Sequence, residues 1–96
     1  MGTVYELMLL LRASDEESAR ESQIKKIEET VEASKGKVRS KKPLGKKELA
    51  YPIGKEKEAY FYLLELEGSG NLVQNLSRKI RLQDGILRHL VVRKEE

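Results

Sequence analysis

The spacing of apolar residues changes along the chain and predicts both strands and helices. Between Val4 and Leu11, Leu7, Leu9 and Leu11 are two residues apart and therefore lie on one face of an extended chain, which predicts a buried strand. After Ser14, apolar residues recur three or four positions apart, which predicts an amphipathic helix that stops at Gly36. Ser14 and Glu17 also have the spacing of a capping box, so we expect them to begin this helix.

The rest of the chain repeats this order with one additional strand. The predicted elements are, in sequence, a strand at Val38 to Ile53, a charged turn at Gly54 to Glu58, a strand at Ala59 to Glu67, a helix containing Leu72, Val73, Leu76 and Ile80, a turn at Asp84-Gly85 and a strand at Ile86 to Arg93. Each half is then a βαβ unit. With right-handed crossovers, residues 1–96 are predicted to form one α+β domain, a ferredoxin-like two-layer sandwich (βαββαβ) whose four-stranded antiparallel sheet has two helices on one face.

Gly45 and Pro52 predict the regularity of the second strand and its position in the sheet. Gly45 interrupts its pattern, and a glycine inside a strand indicates a bulge or a close backbone approach. Pro52 has no N–H to donate, so we expect this strand at an edge of the sheet.

The last strand is oriented by Arg88, because a guanidinium is not expected inside so thin a core. The residues predicted to face the helices are Leu87, His89 and Val91. The opposite side of the sheet would be apolar and uncovered, which is typical of a binding surface. With Tyr51 of the second strand, the residues predicted to meet a protein partner there are Met8, Leu10, Phe61, Leu63, Leu90 and Val92.

The composition offers little for chemistry. Cysteine is absent and His89 is the one histidine, so we expect that histidine to be structural and predict neither an enzyme, nor a cofactor, nor a metal site. The longest apolar run, Leu7 to Leu11, is too short to cross a bilayer, and no secretory signal begins the chain. We therefore expect a cytoplasmic protein with no membrane partner and no small-molecule substrate.

Charge is separated along the chain, although the net charge is only +3. Asp15 to Glu32 contains seven acidic residues, whereas Lys35 to Lys47 contains seven cations and no acid. Lysines also protect edge strands from aggregation, but this run exceeds that need and predicts contact with a polyanion. Because Lys37, Arg39 and Lys41 alternate, we expect them on one side of the strand. The residues predicted to bind the phosphates of such a polyanion, a nucleic acid such as RNA, are Lys41, Lys42, Lys46, Lys47, Arg78, Lys79, Arg81, Arg88 and Arg93.

Several segments together resemble a known family. They are Tyr5-Glu6, Gly45-Lys46-Lys47-Glu48-Leu49-Ala50-Tyr51-Pro52-Ile53, Tyr60-Phe61, Leu76-Ser77-Arg78-Lys79-Ile80-Arg81-Leu82, Asp84 and Leu87-Arg88-His89-Leu90-Val91-Val92-Arg93. The chain resembles, over nearly its whole length, the family of the sixth protein of the bacterial small ribosomal subunit. The chain differs from the family pattern at two positions. Leu44 stands where the family often has an aromatic residue, and Gly85 stands where the family often has asparagine.

The resemblance implies a function and two partners. It implies a structural protein that binds the central domain of small-subunit (16S) ribosomal RNA together with the eighteenth small-subunit protein, on the ribosome. Two alternatives from other classes share the predicted topology. One is a ligand-binding regulatory module that forms a homodimer through its open sheet face, and the other is an enzyme related to acyl phosphatases, for which the chain has no phosphate-binding loop.

Overall fold

Residues 2–94 of the computed structural model form a four-stranded antiparallel sheet with two helices on one face, so the predicted fold class is confirmed. The elements are β1 (Thr3–Arg12), α1 (Glu17–Ala33), β2 (Lys37–Ile53), β3 (Glu56–Gly68), α2 (Gly70–Arg81) and β4 (Ile86–Arg93). The strand order is β2-β3-β1-β4. Met1, Glu95 and Glu96 belong to the predicted domain but lie outside the described residues.

The core is a layer of aliphatic side chains between the sheet and the helices. The central strands and both helices contribute residues that are at most 5% exposed, namely Leu7, Leu9, Leu11, Leu64, Leu66, Ile24, Ile27, Val31, Leu72, Leu76 and Ile80. Their spacing is two in the strands and three or four in the helices, as the sequence predicts. This face of the sheet is therefore closed.

The orientation predicted for β4 is confirmed at Val91, which packs against the core, and at Leu90 and Val92, which are exposed. The start of the strand differs from the prediction. Ile86 packs against the core there, because the register with β1 shifts between Leu10 and Leu11 and leaves Leu87 without a cross-strand partner. The prediction that Leu87 alternates regularly with His89 and Val91 is wrong for this reason.

The ends of α1 also differ from the sequence prediction. The capping box is wrong: Glu16 is the N-cap and makes no side-chain cap bond, and the Ser14 hydroxyl donates to Glu56 instead. At the other end the helix ends at Ala33, three residues before the predicted stop at Gly36. The N–H groups of Lys35 and Gly36 donate to the carbonyls of Glu32 and Val31, respectively, which is a Schellman motif.

The hairpin between β2 and β3 is longer than predicted. The turn comprises only Gly54 and Lys55, and β3 already begins at Glu56. The last row that joins three strands pairs Ala59 with both Lys47 and Arg12. Residues 48–58 therefore extend past β1 as a two-stranded segment, here called the arm. Neither face of the arm is buried in the core, so apolar and polar residues do not alternate at the start of β3, and the sequence pattern did not predict a strand there.

Candidate interface surfaces

The cations of β2 are divided between the two faces of the sheet. Register shifts with β3 occur between Val38 and Ser40 and between Pro43 and Gly45, so the bulge predicted at Gly45 is confirmed. The strand order also confirms the predicted position of β2 at an edge of the sheet. Each shift changes the face on which the following residues lie. The prediction that Lys37, Arg39 and Lys41 share one side is therefore wrong.

The register assigns each predicted phosphate-binding lysine of β2 to a face. Lys41 and Lys46 are opposite Leu64 and Tyr60, which belong to the helix side, whereas Lys42 and Lys47 are on the uncovered side. All four lysines are exposed. β2 thus offers positive charge on both faces of one edge.

Two of these lysines have partners within the chain. The Lys41 ammonium is 2.8 Å from Glu28 of α1, and this hydrogen bond raises the pKa of Lys41 above its ordinary value. The Lys47 ammonium lies over the Phe61 ring, 5.7 Å from its centre. Lys41 is consequently the least available of the four for an external phosphate.

The second group of cations is also divided. Arg78, Lys79 and Arg81 are exposed in the last turn of α2, where the negative end of the helix dipole stabilises them. Arg88 is opposite Leu10 on the uncovered face, while Arg93 is opposite Tyr5, on the side of the sheet that the helices cover. The predicted RNA-binding residues therefore occupy three places: β2, the end of α2, and β4.

The predicted apolar partner surface lies on the uncovered side of the sheet. Its cross-strand rows are Phe61–Leu10–Arg88, Leu63–Met8–Leu90 and Glu65–Glu6–Val92. Residues of the two central strands are half-buried because strands flank them on both sides, whereas Leu90 and Val92 on β4 are 61% and 47% exposed. We call the residues Met8, Leu10, Phe61, Leu63, Leu90 and Val92 the apolar surface.

Glu6 and Glu65 border the apolar surface at one end, on the strand faces that the sequence alternation gives them, although the predicted partner residues did not include them. Glu65 accepts a hydrogen bond from Lys94 at 2.9 Å and is 3.7 Å from Arg39. The Lys94 hydrogen bond holds the pKa of Glu65 below its usual range. The alternation of β3 predicts Glu65 on the same face as Phe61 and Leu63, and the register confirms this position.

Tyr51 does not belong to the apolar surface, although it was predicted to meet the same partner. It lies on the arm and is 84% exposed. A phenol this exposed contributes nothing to the core, so any role for Tyr51 is at an interface separate from the apolar rows.

Within residues 2–94, no group of three or more His, Cys, Asp and Glu side chains is placed to hold a metal ion. Neither α1 nor α2 has the length and hydropathy needed to cross a membrane. His89 is half-buried beside Leu9 on the helix side of the sheet.

Comparisons with known proteins agree with one another. The family model described as Ribosomal protein S6 matches residues 4–93. The small ribosomal subunit protein bS6 of Heliobacterium modesticaldum is 38% identical over 92 residues, 96% of each chain, and that of Clostridium novyi is 34% identical over 92 residues, 96% of this chain and 97% of its own. The crystal structure of 30S ribosomal protein S6 from Thermotoga maritima has a TM-score of 0.91 at 24% identity, covering 98% of this chain and 89% of that one.

Other relatives are longer than this chain. It spans 43%, 53% and 66% of three bS6 proteins from Prochlorococcus marinus, to which it is 36% to 38% identical. The similarity in those pairs still covers 95% of the present chain.

Proposed function

Because the chain belongs to the ribosomal protein S6 family, we propose that it is a structural protein of the small ribosomal subunit that binds the central domain of 16S ribosomal RNA. The family predicted from the sequence segments is confirmed, and so is the expectation that the chain is not an enzyme, since its relatives are ribosomal proteins. Membership of the small subunit places the protein on cytoplasmic ribosomes.

The observation that supports RNA binding is exposed positive charge at the sheet edge and at the end of α2. Lys42, Lys46 and Lys47 are exposed on β2, a strand with a free edge. Arg78 and Arg81 extend from the end of α2. Cations in such positions neutralise phosphates and release counterions, which gives affinity that depends on salt and not on base sequence.

The salt dependence of RNA binding tests this proposal. We expect Arg78→Ala, Arg81→Ala and Arg88→Ala together to reduce the slope of log affinity against log salt by about 2 to 3, since each lost phosphate contact removes roughly 0.7 to 0.9. The measurement is filter binding of a central-domain RNA fragment at several potassium concentrations. The side chains are exposed, so far-UV circular dichroism should remain unchanged.

A matched control uses cations that the proposal leaves away from RNA. Lys25 and Lys26 are exposed on α1, among acidic residues. Their replacement by alanine should leave the slope unaltered. Equal slopes for the arginine variant and the native chain would refute the phosphate contacts.

We further propose that the apolar surface binds the eighteenth small-subunit ribosomal protein. An uncovered sheet face with Leu90 and Val92 exposed is unusual for a domain that acts alone. The arm, through Tyr51, supplies a second contact with this partner or with RNA. A regulatory homodimer through the same face is the competing use, and titration with the eighteenth protein together with sizing of the isolated chain separates the two.

A further inference from the structure

The two edges of the sheet differ in how well they are protected from pairing with another chain. β2, at one edge, contains Pro43 and Pro52, several register shifts and six lysine or arginine residues. Proline, bulges and lysine are the devices by which edge strands avoid such pairing. β4, at the other edge, has no proline and no glycine, and it pairs regularly with β1 from Arg88 to Arg93. β4 is therefore the edge that is open to an additional strand.

The hydrogen bonds between β1 and β4 show which backbone groups face outward. The Lys94 N–H donates to the Val4 carbonyl at 2.9 Å. Because hydrogen-bonded pairs recur at every second residue of an antiparallel ladder, the even-numbered residues from 88 to 92 turn their N–H and C=O groups toward β1. The residues whose N–H and C=O groups point away from the sheet are His89, Val91 and Arg93. Within residues 2–94, no backbone group of another strand or loop pairs with them.

The side chains at this edge favour an occupant that is apolar on one face. Leu90 and Val92 are exposed and end two cross-strand rows on the uncovered side of the sheet. An added strand would extend each row by one residue and cover both side chains. A nucleic acid has no donors and acceptors that alternate with the spacing of a strand, so the edge specifies a polypeptide.

The charge at this edge favours a partner protein over a second copy of the chain. Residues 86–94 contain three cations, Arg88, Arg93 and Lys94, and no acid. A second β4 would bring three more cations to the same junction, and like charges on neighbouring strands are destabilising. Lys94 is already bonded to Glu65, whereas Arg93 is exposed beside the open edge. An acidic side chain opposite Arg93 would complement this charge.

We propose that the outer edge of β4 accepts an extended segment of a protein partner as a fifth, antiparallel strand. The segment presents apolar side chains beside Leu90 and Val92 and an acidic side chain opposite Arg93. The proposal goes beyond the proposed function, because it concerns the backbone edge and requires neither RNA nor the eighteenth small-subunit protein. The edge can therefore fail its test while the phosphate contacts and the apolar surface pass theirs, and the reverse.

The test uses the full chain and a capped peptide in which valine and threonine alternate, with glutamate in place of the threonine that pairs with Arg93. The valines then lie beside Leu90 and Val92. We expect the bound peptide to slow hydrogen exchange at the amides of His89, Val91 and Arg93 and to leave the edge of β2 unchanged. N-methylation of the threonines should weaken binding about tenfold, because their amides donate to β4. N-methylation of the valines, whose amides point away, should change the affinity by less than about twofold.

A charge exchange tests the contact with Arg93. Arg93→Glu should weaken binding of the peptide about threefold to tenfold, and a peptide with lysine in place of its glutamate should restore the affinity. The matched control is Lys79→Glu, which makes the same change in net charge at an exposed position in the last turn of α2. It should alter the affinity by less than about twofold. Equal losses for the two variants would overturn the proposal, since binding would then follow net charge alone.

The exchange measurement distinguishes the other possible occupants of the edge. Equal effects of the two N-methylated peptides would mean that the peptide does not bind as a strand. Protection of the outward β4 amides that rises with the concentration of the chain alone would assign the edge to a second copy. Protection by the central-domain RNA fragment would assign it to RNA. Each of these results, or absence of protection with the peptide in large excess, would overturn the proposal.

Discussion

At the scale of single residues, the end of α1 contains a conformation that its residue does not favour. Lys35 has a φ of 63°, in the left-handed region where a side chain costs about 1 to 2 kcal/mol. Glycine is the usual residue at this position of a Schellman motif. We therefore expect Lys35→Gly to raise the free energy of unfolding by about 0.5 to 1 kcal/mol, measured by urea denaturation.

The neighbouring glycine provides the opposite case. A Cβ at Gly36 would lie 2.9 Å from the Glu67 carbonyl oxygen and 3.1 Å from side-chain atoms of Leu72 and Val31. Gly36→Ala should therefore lower the free energy of unfolding by about 1 to 3 kcal/mol, the usual cost of overpacking. A stabilising Gly36→Ala, or a destabilising Lys35→Gly, would contradict this account of the helix end.

At the scale of elements, the arm is the part of the sheet with least support from the core. Its position is held from outside by Arg12, which is 3.9 Å from Glu56 of the arm, 3.6 Å from Asp15 and 3.3 Å from Asp84. The hydrogen bond and charge of Asp84 raise the pKa of Arg12 above its ordinary value. Ser14 adds a hydrogen bond to Glu56 at 3.2 Å.

This arrangement predicts that the arm opens independently of the sheet. Amide protons of residues 48–58 should exchange faster than those of β1, and Arg12→Ala should accelerate exchange in the arm further without changing the core. Hydrogen exchange followed by mass spectrometry measures both effects. Lys57→Ala, a change to an exposed cation of the same arm, is the control and should leave the exchange rates unaltered.

The elements themselves were predictable where one face is buried. The order of strands and helices, the edge position given by Pro52 and the bulge at Gly45 all follow from local sequence. The bulge near Arg39 could not be predicted from the sequence. A bulge is visible in a sequence as a break in the alternation of apolar and polar residues, and the residues around Arg39 have no such alternation. That bulge decides which lysines face the helices, so their distribution over two faces could not be predicted from spacing alone. The extension of β3 to Glu56 was missed for the same reason.

At the scale of the whole molecule, the fold separates three surfaces by chemistry. The cations lie on the β2 edge and at the end of α2, seven of the sixteen acidic residues lie in residues 15–32, and the apolar surface lies across the sheet from both helices. A sheet covered on one side makes this possible, because successive residues of a strand point to opposite layers. The same strand can therefore stabilise the fold with one residue and bind a partner with the next.

Two leucines on opposite faces of the sheet test this separation. Leu64 is fully buried in the core, so Leu64→Ala should cost about 2 to 5 kcal/mol of stability. Leu90 is 61% exposed, so Leu90→Ala should change stability by less than about 0.5 kcal/mol. If the apolar surface binds the eighteenth small-subunit protein, Leu90→Ala should weaken that complex at least about fivefold in isothermal titration calorimetry.

The control for this experiment is an exposed leucine elsewhere. Leu82, after α2, is 79% exposed and lies outside the apolar surface, so Leu82→Ala should leave the complex unchanged. An equal loss at Leu82 and Leu90 would remove the argument for a localised partner site. Sizing of the chain alone completes the test: a stable homodimer that Leu90→Ala dissociates would mean that the uncovered sheet receives a second copy of this chain, because one surface cannot be buried by two partners at once.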